Sequence, residues 1–228
     1  MQKEMIDSNF KSAIEILNKS KIDYWICHGT LLGIIRDNKL ISWDNDVDIA
    51  FLEKKIDKNY LLNLFLEAGF KKKDKFFKND GLITLKREGG KEVDFNFYNL
   101  NNDNQNVYVN WYIPKNNLMK LIHALSMSDN YDGKYKSLIK KLSLSKNIFK
   151  IIMSLLARYN LFYRKAGYQH PYSLIQEIVE KKFYDLSVKI PRKYENYLDY
   201  IYGSNWRIPQ KNFNWLKDSP ATKLYDGH

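Results

Sequence analysis

The chain has 228 residues, a formal net charge of +11 and a single cysteine, Cys27. That length allows one large domain, or one domain with an insertion; the lone cysteine excludes an intramolecular disulfide and any cysteine-based zinc site, and fits a reducing compartment. The first residues carry acids and no long apolar run, so they do not read as a secretory signal, and no stretch reaches the roughly 18 uncharged residues of a membrane-spanning helix.

Apolar residues at Ile6, Phe10, Ala13, Ile14 and Leu17 predict a helix over 5–18 with one buried face. A short strand over 23–26 leads into Cys27, His28 and Gly29, and the Thr30 hydroxyl is placed to cap a helix over 31–36. Asp37, Asn38 and Lys39 form a turn, and a strand follows over 46–51. A helix over 59–68 stops at Gly69. Residues 81–87 read as a strand, Gly89-Gly90 as a hairpin turn, 92–98 as the returning strand and 107–113 as another. From about 117 to 180 the chain reads as helical, basic and aromatic. Pro191 suits the first position of a helix that carries Tyr194, Leu198 and Ile201 and ends at Gly203. The tail reads as irregular, docked by Trp206, Phe213 and Trp215.

Side chains two apart on a strand share a face. Asp46 and Asp48 therefore point one way while Val47, Ile49 and Phe51 point into a core. On 92–98, Val93, Phe95 and Phe97 share one face, with Asp94 and Asn96 on the other. Three inward carboxylates on two strands suit a metal and acid/base centre for phosphoryl chemistry. Hard oxygen donors select magnesium or manganese over zinc. His123, His170 and His228 have no spacing typical of a metal site.

The run WICHGTLLGIIRDNKLISWDNDVDIAF resembles the LicD/fukutin family of the nucleotidyltransferase superfamily. The matching residues are Trp25, Gly29, Thr30, Leu31, Leu32, Gly33, Arg36, Trp43, Asp44, Asp46, Val47, Asp48 and Ile49. Val93-Asp94-Phe95 is similar to the family's third aspartate strand, and VKIPRKYENYLDYIYGSNWRIP to its C-terminal element. Asn45 stands where an additional acid is common, and His28 where a small residue is frequent. The resemblance implies an α/β (α+β) nucleotidyltransferase fold, a short mixed sheet flanked by helices. It divides the chain into a catalytic core over 1–116, a basic helical insertion over 117–180, and a C-terminal helix and tail over 181–228.

The same resemblance implies transfer of phosphocholine or a polyol phosphate from a CDP-activated donor to a sugar hydroxyl of a cell-surface glycan, with CMP leaving. Asp46 and Asp48 are the expected ligands of a magnesium or manganese ion, with Asp94 as a third ligand or as the general base. Gly29 and Thr30 would admit a donor phosphate at the helix start. Asp44 either orients the loop or contacts the metal through water. Arg36 either reaches the phosphate or pairs with Asp44, and Lys86 or Arg87 shares the active face. Trp206 either packs the tail or stacks on the cytosine. Two other readings stand beside this one: an NTP-dependent nucleotidyltransferase, and a non-catalytic membrane- or nucleic-acid-binding module. No nucleic-acid motif is present, so a nucleic-acid partner is not expected.

Nine Lys or Arg and no acid lie between Lys134 and Lys165. That segment is either an ordinary helical lid or a docking surface for an anionic membrane. The expected location is therefore cytoplasmic, either free or at the inner face of the cytoplasmic membrane.

Overall fold

The computed structural model describes residues 6–73, 81–127, 136–142, 146–159 and 161–225. His228, Lys134 and the segments next to residues 136 and 146 lie outside them. The elements follow in the order α1 (Ser8–Lys19), β1 (Trp25–Ile26), α2 (His28–Arg36), β2 (Asp46–Leu52), α3 (Lys58–Glu67), β3 (Lys71–Lys73), β4 (Leu82–Lys86), β5 (Glu92–Leu100) and β6 (Asn106–Pro114). After these come α4 (Asn117–Ser126), α5 (Lys136–Lys141), α6 (Lys146–Arg158), β7 (Tyr163–Pro171), β8 (Ile178–Phe183), β9 (Leu186–Pro191), α7 (Tyr194–Tyr202), α8 (Trp215–Asp218) and β10 (Thr222–Tyr225). None of the described helices is long and apolar enough to cross a membrane.

The chain divides into two compact units. The first takes residues 1–73, 80–109 and 168–223. Its centre is β5, which pairs in parallel with β2 and antiparallel with β4; β1 extends the sheet beyond β2, and β3 beyond β4. The far end of β5 pairs with β6 through Asn99↔Tyr108 and Leu100↔Val107. Alternation gives β2 and β5 one apolar face, with Val47, Ile49, Phe51, Val93, Phe95 and Phe97 all fully buried. Against that face Phe65 of α3 meets Phe95 edge-on at 4.8 Å between ring centroids. The helix α1 buries Phe10, Ala13, Ile14 and Leu17, the stripe its spacing predicts.

Local capping explains where these helices begin. The Asp7 carboxylate accepts hydrogen bonds from the Asn9 and Phe10 amides, and Asp57 does the same for Asn59 and Tyr60. The Asn9 side-chain amide donates to the carbonyls of Arg87 and Lys91, clasping the β4–β5 turn. Gly89 has φ +88°, and a Cβ on Gly90 would lie 2.6 Å from Asn9 Cγ. The Gly-Gly pair is thus a left-handed turn followed by a close approach.

The second unit takes residues 74–79, 110–167 and 224–228. Its described helices pack around Ala124, Leu125 and Ile139, with Phe149 against them. The Lys115 amide bonds the Phe162 carbonyl at 2.9 Å.

Several expectations need correction. The helical reading of 117–180 holds only through α6; from Tyr163 the chain is strand, and Ile178–Phe183 pairs with Leu186–Pro191 as a hairpin. Dense charge in YRKAGYQHP and IVEKKF hides the period-two pattern there. Pro191 ends β9 rather than opening a helix, and α7 starts at Tyr194. The tail forms α8 and β10. The helix expected over 31–36 begins at His28, so Thr30 sits inside its first turn and caps nothing.

Candidate active site

The face of the first unit's sheet opposite the apolar one carries the chemistry. In the parallel register, Asp46 lies beside Glu92 and Asp48 beside Asp94; across the other side of β5, Asp94 lies beside Thr84. Partners in register share a face, so Asp46, Asp48, Glu92, Asp94 and Asn96 form one polar surface. Asp94 is 5% exposed, whereas Asp46 and Asp48 are half-buried. The Asn96 amide donates to Asp48 Oδ1 at 3.3 Å and orients that carboxylate. Glu92 belongs to this face although sequence reasoning passed over it; the alternation E-x-D-x-N held the signal. It is engaged by two cations, Lys73 Nζ at 2.6 Å and Lys86 Nζ at 3.4 Å.

The head of α2 is fixed to this surface. The Asp48 amide donates to Thr30 Oγ1 at 2.7 Å, and the Cys27 amide donates to the Asp48 carbonyl at 3.3 Å. These two bonds join the first turn of α2 to the middle of β2. A Cβ on Gly29 would lie 2.4 Å from Asp44 Oδ2, so only glycine lets the Asp44 carboxyl reach the helix head. The first amides of a helix have no intrahelical acceptor, and those of His28, Gly29 and Thr30 fall here. The Lys91 ammonium holds the loop from below through the carbonyls of Ile41 and Asp44.

Negative potential is concentrated on this surface. Burial pushes the Asp44 carboxyl up to about 7, helped by the Asp46 charge and a hydrogen bond between the two carboxyls, with Lys91 opposing. Burial, then Asp48 and Asp94, push the Cys27 thiol up. Burial, with Asp48 contributing, raises the phenols of Tyr168, Tyr197 and Tyr202. Among the described residues no three His, Cys, Asp or Glu side chains converge into a ready-made metal cage. The donor set itself, carboxylate oxygens on adjacent strands in a field that lifts its neighbours, suits a hard divalent cation. Magnesium is commonly held by one or two carboxylates plus substrate phosphates rather than by an all-protein cage.

Beside the carboxylates lies a buried aromatic cluster. His28 has φ +47°, a left-handed conformation that accounts for the small residue frequent at this position. Its ring stacks on Tyr168 at 4.4 Å, and its Nε2 lies 3.1 Å from the Tyr98 hydroxyl. Burial, then the neighbouring His170, lower His28 to about 3 against a small opposing pull from Asp46. Burial likewise lowers His170 to about 4. Both rings are therefore neutral near pH 7.

The remaining expected residues sort as follows. Arg36 pairs with Asp37, Nε to Oδ1 at 2.8 Å and Nη2 to Oδ2 at 2.7 Å, and not with Asp44. A bidentate partner one residue away at the helix end outcompetes a distant one. Lys86 does share the carboxylate face, on the same side of β4 as Thr84. Arg87 turns away to Asn9, Ser12 and the Ala68 carbonyl, which makes it scaffold. Trp206 is 4% exposed, with the Arg207 guanidinium over its ring at 4.1 Å.

The family model described as LicD/FKTN/FKRP, nucleotidyltransferase domain, matches residues 21–144. The chain is similar to the ribitol-5-phosphate transferase FKTN of Macaca fascicularis and to that of Homo sapiens, each 21% identical over 208 residues. Those alignments cover 91% of this chain but 34% of each relative, so the chain spans about a third of their length. A lincosamide antibiotic adenylyltransferase, LnuA, superposes with a TM-score of 0.43 at 14% identity, covering 85% of this chain and 84% of that one.

Proposed function

This chain belongs to the LicD/FKTN/FKRP nucleotidyltransferase-domain family, and on that premise we propose that it is a phosphoryl-group transferase acting on glycans. The finer reading is transfer of a phospho-substituent, phosphocholine or a polyol phosphate, from a CDP-linked donor to a sugar hydroxyl. The observation that carries it is the register Asp48↔Asp94 beside the head of α2. It brings carboxylates and open helix amides to one surface.

Asp46 and Asp48, with Asp94 across the register, would hold a magnesium or manganese ion, which supplies positive charge for donor phosphate oxygens. The amides at the head of α2 bind one phosphate beside the Asp44 carboxyl, which the glycine at position 29 admits there. Asn96 keeps Asp48 turned toward the ligand. Asp94 accepts the proton of the acceptor hydroxyl as its oxygen bonds to the distal phosphorus. The bond from that phosphorus to the bridging oxygen breaks, and CMP departs with the electron pair. Lys73 and Lys86 offset negative charge along the Glu92 edge of the same face.

The test incubates the protein with CDP-choline, CDP-ribitol or CDP-glycerol, magnesium and a glycan acceptor, and follows CMP. Release by wild type and its loss in Asp46→Ala, Asp48→Ala and Asp94→Ala support the reading. Equal release by the three variants overturns it, and pyrophosphate from an NTP would move the chain to nucleotide transfer.

A further inference from the structure

Helix α6 has more apolar surface than its own unit covers. Its inner arc, Phe149 and Met153, packs toward Ala124, Leu125 and Ile139; Met153 is 4% exposed, and the Ser126 hydroxyl lies 3.2 Å from its sulfur. A second arc is formed by Ile148, Ile151, Leu155 and Tyr159. Steps of three and four residues keep the first three on one line along α6, and Tyr159 follows directly after its last residue. They are 61%, 61%, 53% and 68% exposed. A soluble helix normally gives such positions to polar or charged residues, as the neighbouring line of Asn147, Lys150, Ser154 and Arg158 does.

Charge supplies the second half of the argument. Between Lys134 and Lys165 the sequence has nine cations and no acid. On the described helices Lys141, Lys150 and Arg158 are exposed, and Lys146 is half-exposed. Three of the four, Ile148, Ile151 and Leu155, are aliphatic and give no stacking surface for bases, so the line fits nucleic acid poorly. An aliphatic line bordered by cations fits the boundary between headgroups and acyl chains of an anionic bilayer. At about 1.5 Å per residue the helix is too short for the roughly 30 Å hydrocarbon layer, so it lies in the plane.

We propose that α6 docks the protein on an anionic lipid surface, with Ile148, Ile151, Leu155 and Tyr159 entering the interface and Lys141, Lys146, Lys150 and Arg158 meeting the headgroups. This holds whichever group the carboxylate site transfers, because it rests on residues of the second unit alone.

The experiment is flotation of the full chain with phosphatidylglycerol-rich vesicles and with pure phosphatidylcholine vesicles. Wild type floats with the first and not the second, and added salt releases it. Ile148→Ser/Ile151→Ser/Leu155→Ser abolishes flotation with an unchanged far-ultraviolet circular dichroism spectrum. Should that variant not fold, the single Ile151→Asp, at an exposed position, carries the same test. Lys141→Gln/Lys146→Gln/Lys150→Gln/Arg158→Gln lowers partitioning by about five-fold per cation removed. Absence of wild-type flotation overturns the proposal, as does equal flotation on neutral vesicles or flotation unaffected by the folded variants. It is also overturned if sedimentation equilibrium shows a dimer that the serine variant breaks, with no lipid binding.

Discussion

Strands β2 and β5 present two unlike surfaces from one register. Odd-numbered residues, Val47 through Phe51 and Val93 through Phe97, are fully buried carbon packed under α1 and α3. Even-numbered residues, Asp46 and Asp48 beside Glu92, Asp94 and Asn96, gather like charges that repel one another. One face lowers the free energy of the folded chain by removing apolar area from water. The other raises it, and the stability stored in the first tolerates the cost. Functional groups that oppose folding can stand only where a neighbouring surface strongly favours it.

That contrast breaks most visibly at the carboxylates. Asp48→Asn or Asp94→Asn is expected to cut CMP release by about 10³-fold, while the melting temperature stays level or rises because repulsion is relieved. A matching fall in stability would show that these carboxylates hold the fold. The reverse pattern is expected from Phe95→Ala on the other face, a loss of about 3–5 kcal/mol in denaturant unfolding. Turnover per folded molecule should be near wild type.

Gly29→Ala sharpens the boundary between the faces, since its methyl group would sit against Asp44. The atom it meets is the end of a side chain that can turn aside, so a loss under about 1 kcal/mol is expected, and adding Asp44→Ala should restore the stability without the activity. A last effect is on pH dependence. His28 and His170 are held near 3 and 4, below the ordinary 6.5 of an unfolded imidazole. The unfolded chain therefore binds protons that the folded one refuses. Stability is full above about pH 6.5 and falls as pH drops toward 4, by at most about 1.4 kcal/mol per pH unit for each histidine. Denaturant titrations of wild type and His170→Asn between pH 7 and 5 measure it; equal slopes would remove His170 from the account.

Much of this was legible in the chain because alternation is a local signal. Val47, Ile49 and Phe51 against Asp46 and Asp48 can be read directly, and Asp94 follows from the same rule. The carboxylate face was therefore visible before the fold. Its cross-strand partners were not. Arg36 turning to Asp37, and Lys73 and Lys86 converging on Glu92, depend on which strands are neighbours and in what register. The surroundings of His28 were hidden for another reason: its Tyr98 and Tyr168 partners come from strands far along the sequence. β7 and β8 were missed where charged residues interrupt the alternation, and β9, though it alternates cleanly, is short and runs straight into Pro191. The apolar line of α6 was readable as composition, but only the packing shows which half of it the core leaves uncovered.

The parallel pairing of β2 with β5 also sets when the site comes into being. Two parallel neighbours cannot be joined by a tight turn; the chain must first lay down α3, β3 and β4. The helix head and the first two aspartates leave the ribosome well before Asp94, yet have no carboxylate partner until that crossover closes. Such non-local closure slows folding. On the proposed function, a growing chain is thus inert until β5 pairs with β2, and its chemistry switches on in that one step rather than by degrees.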